Sequence, residues 1–181
     1  MAANLVAWAT RDVRSLHYLL AVDDEAMDSG EARGWSLEIV DNAHPRWAAT
    51  TAISAVDRCA AALARVTPTV NTTGSREATV RWLAAKRLSQ LSAGGRRWVT
   101  SVTADPFHNS LVELRNGLVH RHLRRVVRAV VGQGDWEGQR DSLILEGREY
   151  HVRGLIEASR DFADTHVSAF LAAARRGTLN V

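Results

Sequence analysis

Arg115, Asn116 and His120 are the side chains of this sequence best suited by type and spacing to do chemistry. Histidine, with an unperturbed pKa near 6.5, exchanges a proton close to neutral pH. Arginine carries a planar fork that matches phosphate oxygens. On a helix turning about 100° per residue, Leu111, Leu114 and Leu118 fall along one side, and Asn116, His120 and Arg124 fall along the other at four-residue spacing. Asn116 and His120 can therefore touch. Arg115 lies nearer the apolar side, roughly 140° around from His120, so these two do not meet within one regular helix. Two arrangements resolve that separation: Gly117 loosens the turn, or two copies of the helix pair and each supplies part of a shared site. Pairing is the favoured expectation, because an arginine beside an apolar stripe is costly unless it faces a partner or a cleft. The alternative is that Arg115 forms a salt bridge to an acid such as Asp57 on a neighbouring helix.

The remaining chemistry-bearing residues point elsewhere. His122 projects toward the apolar side and reads as structural rather than as a second proton-transfer group. His17, His44, His108, His151 and His166 stand singly, without the i, i+4 pairing of a helical metal site, and read as structural or surface residues. No acidic cluster has metal-ligand spacing, so neither metal nor cofactor is expected. The segment from Thr69 to Gly74 lacks the lysine of a phosphate loop. Cys59 is the only cysteine, which excludes a disulfide framework and a cysteine metal cage and leaves a small core residue.

The elements that position these residues are helical. Apolar residues recur three and four apart, and only three prolines interrupt the 181 residues, so the expected fold is an all-α, up-and-down helix bundle forming one domain over residues 1–181. The pattern predicts a first helix from about Asn4 to Asp28, with Leu16, Leu19 and Leu20 at core spacing. A second helix opens at Pro45 and runs from Arg46 to Val66, closed by Thr67-Pro68. A third runs from Ser75 to about Leu91. Ser92-Ala93-Gly94-Gly95 then reads as a break before a short helix from Arg96 or Arg97. Asp105, as a cap, and Pro106, as first helical residue, start a helix from Phe107 to about Arg125. Between about 126 and 152 the runs Val126–Val131 and Ser142–Glu146, with Glu146-Gly147 as a turn, suggest a small β-hairpin insertion, unless the first valine run continues the preceding helix. A last helix spans about Arg153 to Arg175, with Leu155, Phe162, Val167, Phe170 and Leu171 as its core. Six scattered tryptophans read as core or boundary anchors rather than a stacking platform.

Charge is unevenly spread. The net charge is only +3, but residues 1–44 hold three arginines against eight acids, whereas residues 96–128 hold seven arginines against Asp105 and Glu113. The second segment is where a polyanion is expected to land, the alternative being a solvated, self-compensating surface. The sequence does not begin with a basic segment followed by a long apolar run, and nowhere do about 18 apolar residues follow one another, so a cytoplasmic protein without a membrane span is expected.

The run Leu114-Arg115-Asn116-Gly117-Leu118-Val119-His120 resembles the R-x4-6-H signature of HEPN domains. These domains are helical, commonly dimeric and often metal-independent ribonucleases of toxin–antitoxin, phage-defence and RNA-processing systems. The resemblance extends loosely over about two thirds of the helix plan, and its specific part is this motif. It implies a homodimer in which His120 moves a proton to or from the RNA ribose-phosphate, Arg115 stabilises charge on the phosphorane-like transition state, and Asn116 orients the histidine or the phosphate. It further implies that Arg121, Arg124, Arg125 and Arg128 hold the RNA backbone. An antitoxin or other protein partner is compatible with it, as is a non-catalytic module of the same type that binds RNA, a nucleotide or a protein. Where nucleotidyltransferase-regulated members carry a tyrosine two residues after the histidine, this chain has Arg121 and then His122, so that mode of control is not expected.

Overall fold

The computed structural model describes residues 2–28, 35–70, 78–120, 125–126, 142–145 and 148–179, of which 26–28, 35–42, 117–120 and the strands up to 150 are described as backbone. Six helices dominate: α1 (Ala2–Asp28), α2 (Trp35–Val66), α3 (Val80–Lys86), α4 (Ala93–Ala104), α5 (Pro106–His120) and α6 (Val152–Arg175). A turn of 3-10 helix, Leu88–Gln90, separates α3 from α4. The described residues thus form an all-α bundle, to which a three-stranded antiparallel sheet is attached: β1 (Arg125–Val126), β2 (Ser142–Leu145) and β3 (Arg148–His151). Leu145 pairs with Arg148 and Arg125 with Leu143, so β2 and β3 lie on either side of the expected Glu146-Gly147 turn, which is itself outside the described residues.

α1 and α2 run antiparallel, as two cross-links demonstrate: Asp12 meets Arg58 at 3.0 Å and Asp23 meets His44 at 2.8 Å. Alanines line the buried side of α2, including Ala48, Ala52, Ala55 and Ala62, and their small volume lets α1 and α6 approach closely. Leu16 and Leu19 of α1, Leu63 of α2, and Leu155, Ile156 and Phe170 of α6 fill the space between them. Each of these fully buried side chains contributes about 2 kcal/mol relative to exposure. Leu171, expected in the core, is only partly buried and packs at its margin.

Several boundaries differ from those the sequence suggests. α2 begins at Trp35, so Pro45 lies inside it rather than opening it. Proline there removes one backbone hydrogen bond, and the adjacent His44–Asp23 contact holds that turn against α1. α3 is shorter than expected: Thr79 caps it by accepting from the Trp82 amide, and it ends at Lys86. The predicted break at Ser92–Gly95 is instead the first turn of α4. Ser92 Oγ accepts from the Gly95 amide at 3.1 Å and donates to the Thr178 carbonyl at 3.0 Å. Gly94 is needed there because a Cβ would lie 2.3 Å from that carbonyl oxygen. The chain reaches this contact through Gly177, whose φ of 68° turns it out of α6, and it buries Leu179.

α5 starts as expected: Asp105 Oδ1 accepts from the Phe107 amide at 2.9 Å, ahead of Pro106 as the first helical residue. It is described to His120, and Arg125, expected near its end, lies in β1; residues 121–124 are outside the described residues.

Candidate functional site

α5 carries Arg115 and Asn116 on different sides. Leu111, Val112 and Leu114 are buried, Arg115 sits at the margin with about a third of its side chain exposed, and Asn116 is exposed. The helix continues without interruption through Gly117 to His120, so the loosened turn considered above does not occur. His120 is the last described residue of α5, on the Asn116 side of the backbone, and its side chain lies outside the described residues. Arg121, Arg124 and Arg128 are likewise outside them, and Arg125 is described only as a backbone position in β1. Among the described side chains the structure thus places Arg115 at the margin of the core and Asn116 in solvent, about 100° apart on α5.

Arg115 has the partner named as the alternative: its Nη1 is 3.7 Å from Asp57 Oδ2 on α2. Asp57 Oδ1 accepts from the Val80 amide at 2.9 Å, at the start of α3. One carboxylate therefore ties α2, α3 and Arg115 of α5 together. The Arg115 contact is longer than a hydrogen bond and partly solvated, so it contributes a fraction of a kcal/mol and leaves most of the guanidinium donors available.

Two turns before Arg115, on the same side of α5, lies His108, which is 3 % exposed. Its ring stacks against Phe162 of α6, whose edge meets His166 at 4.7 Å between centroids. His166 Nε2 is 3.0 Å from Asp105 Oδ2, and the His166 carbonyl accepts from Trp98 Nε1 at 2.9 Å. Burial pushes His108 down to about 4. Arg81, His166 and Arg115 push the same way, and Asp105 opposes them. His108 is accordingly neutral at physiological pH. Read from sequence, His108 and His166 stand alone. Their shared environment arises from an α5–α6 contact that no local spacing encodes.

Other candidates resolve as structural. Cys59 is fully buried, and burial with Asp12 nearby pushes its thiol up to about 12, which keeps it protonated and unreactive. Trp98 is core, packing edge-on against Phe170 at 5.0 Å. Trp8 and Trp47 are about half exposed, at the boundary rather than in the core, with Arg58 lying over the Trp8 ring. Among the described residues no group of three or more His, Cys, Asp and Glu is placed to hold a metal ion, and no helix is long and apolar enough to cross a membrane. No protein-family model, curated protein or solved structure matches the chain.

Proposed function

We propose that the chain is a HEPN-like module that acts on RNA as a pair of identical subunits, with Arg115, Asn116 and His120 forming its working site. The observation that carries this reading is the presentation of Arg115 and Asn116. Arg115 lies 3.7 Å from Asp57 and is a third exposed, and Asn116, next in the helix, faces solvent. A guanidinium only loosely engaged by a carboxylate and open to solvent is suited to receive a phosphate. Because α5 is regular to His120, the backbone positions of Arg115 and His120 fall on different sides of the helix, and a shared site draws on two chains. In that site His120 accepts the ribose 2′-hydroxyl proton or protonates the leaving 5′ oxygen, and Arg115 neutralises the charge gathering on the phosphorus-bound oxygens. Arg121, Arg124, Arg125 and Arg128, which follow in sequence, hold the RNA backbone without reading bases. Such an activity fits an RNA-directed effector of the toxin or phage-defence kind, with or without a protein antitoxin.

A second reading, a non-catalytic binding module, is favoured by the Asp57 contact itself. It gives Arg115 a structural task in fastening α5 to α2 beside the start of α3.

Incubation of the purified protein with a mixed RNA pool in excess EDTA separates the two. The first reading expects cleavage that is lost in both Arg115→Ala and His120→Ala proteins of unchanged fold and oligomeric state. Absence of cleavage by the wild type leaves the binding module.

A further inference from the structure

The segment from Ala78 to Ala104, which comprises α3, the 3-10 turn and α4, holds Arg81, Lys86, Arg87, Arg96 and Arg97 and no acidic residue. Arg81, Lys86, Arg96 and Arg97 are exposed. Among the described residues no carboxylate forms an ion pair with any of the five. Two of them meet neutral groups within the segment: Arg96 Nη1 donates to the Leu91 carbonyl at 2.7 Å, and Arg87 lies over the Trp82 ring at 5.3 Å. The α1–α2 pair is arranged differently, since Asp12 engages Arg58, Asp23 engages His44 and Asp57 engages Arg115.

On the solvent side of α4, Ala93, Arg96, Arg97, Thr100, Ser101 and Ala104 line a shallow, open depression of about 510 Å³. The depression belongs to the same part of the molecule as Arg115, because α4 packs on α3 and the first turn of α3 is fixed to Asp57, the partner of Arg115. Arg81 follows directly on Val80, and its charge reaches His108 on α5.

We infer that the α3–α4 surface is a docking track for the phosphate backbone of single-stranded RNA, with Arg96 and Arg97 in the α4 depression as its centre and Arg81 and Lys86 as its continuation. The inference rests on the RNA-directed reading above and assigns it a surface outside the α5 motif and outside the arginines that follow it. A run of exposed cations without acids suits a polyanion whose charges repeat along a chain, and an open depression admits a backbone without selecting a base. Non-specific contact of this kind positions an RNA and carries no sequence preference.

The test is fluorescence anisotropy with a labelled 2′-O-methyl oligoribonucleotide, which lacks the attacking hydroxyl, so that binding is read independently of cleavage. Wild type, Arg96→Gln/Arg97→Gln, Arg81→Gln/Lys86→Gln and Arg11→Gln/Arg14→Gln are titrated over a range of potassium chloride concentrations, after thermal melts establish that each is folded. Loss of two single-strand phosphate contacts lowers the slope of log affinity against log salt by about 1.4 and weakens binding roughly 10- to 30-fold at moderate salt. That loss is expected for the α4 pair and, as a second and independent variant, for the α3 pair, with a clearly smaller change for the α1 pair, which removes the same charge elsewhere. Equal effects of all three pairs, or unchanged affinity in both the α3 and α4 pairs, overturn the inference. So does binding to phosphatidylserine vesicles through these arginines without binding to RNA. If the α3 and α4 pairs respond as expected while wild type leaves ordinary RNA intact in EDTA, the cleavage reading fails and the docking track stands.

Discussion

The chemistry at the level of single residues turns on what each ionisable group faces. Arg115 and Asp57 are placed so that the arginine is restrained but not consumed, which is the condition for meeting a phosphate. His108 is the opposite case, a histidine whose charging is suppressed by burial and by the cations around it. The unfolded chain protonates this histidine near pH 6.5 and the folded chain only near 4, so its contribution to stability is complete above 6.5 and is lost as pH falls toward 4. A loss on the order of 3 kcal/mol is expected across that window. Urea unfolding between pH 4 and 7.5 checks it: His108→Gln should flatten the pH dependence, and a wild-type profile without a decline below 6.5 would refute the assignment.

Among the elements, glycine decides where α4 starts and how the chain ends. Ser92 serves both ends of one contact, capping α4 through the Gly95 amide and fastening the Thr178 carbonyl. A methyl group at position 94 lies 2.3 Å from that carbonyl oxygen, and a shift of the backbone is unavoidable. Gly94→Ala should therefore destabilise the protein by about 2 kcal/mol as the Thr178–Leu179 segment is displaced. Gly154 in α6 offers the converse, since nothing lies within 4 Å of a Cβ there. Gly154→Ala should stabilise by about 0.5–1 kcal/mol through the better helix propensity of alanine. Paired thermal melts read both, and a Gly94→Ala protein as stable as the wild type would mean that the C-terminal contact is dispensable. The sheet strands β2 and β3 and the cap of α5 are elements whose local signals suffice, a turn pair in one case and Asp105-Pro106 in the other.

For the whole molecule, the regular course of α5 carries the main consequence. With Arg115 turned to the α2 side and the His120 backbone position on the side of exposed Asn116, a joint site requires a second chain. Sedimentation equilibrium is expected to give a dimer, and a monomer at all working concentrations would remove the shared site while leaving the α3–α4 docking track to be judged by its own titration. The helical bundle itself was legible in the sequence, because three- and four-residue periodicity, caps and prolines act between near neighbours. So was the Arg115–Asn116–His120 spacing, and Asp57 was legible as one possible partner of Arg115. The start of α2 was not, because packing of α1 against α2 and the Asp23–His44 contact override the local penalty of Pro45. Nor was the joint environment of His108 and His166, or the place of Gly94 inside a helix. These depend on residues far apart in the chain, 61 between His166 and Asp105 and 86 between Ser92 and Thr178. Local sequence determined which segments are helical and which side chains have chemical capacity. Only the tertiary structure decided which cations meet a carboxylate among the described residues, which histidine is neutral and which glycine is indispensable, because burial and pairing are set by what the folded chain brings alongside.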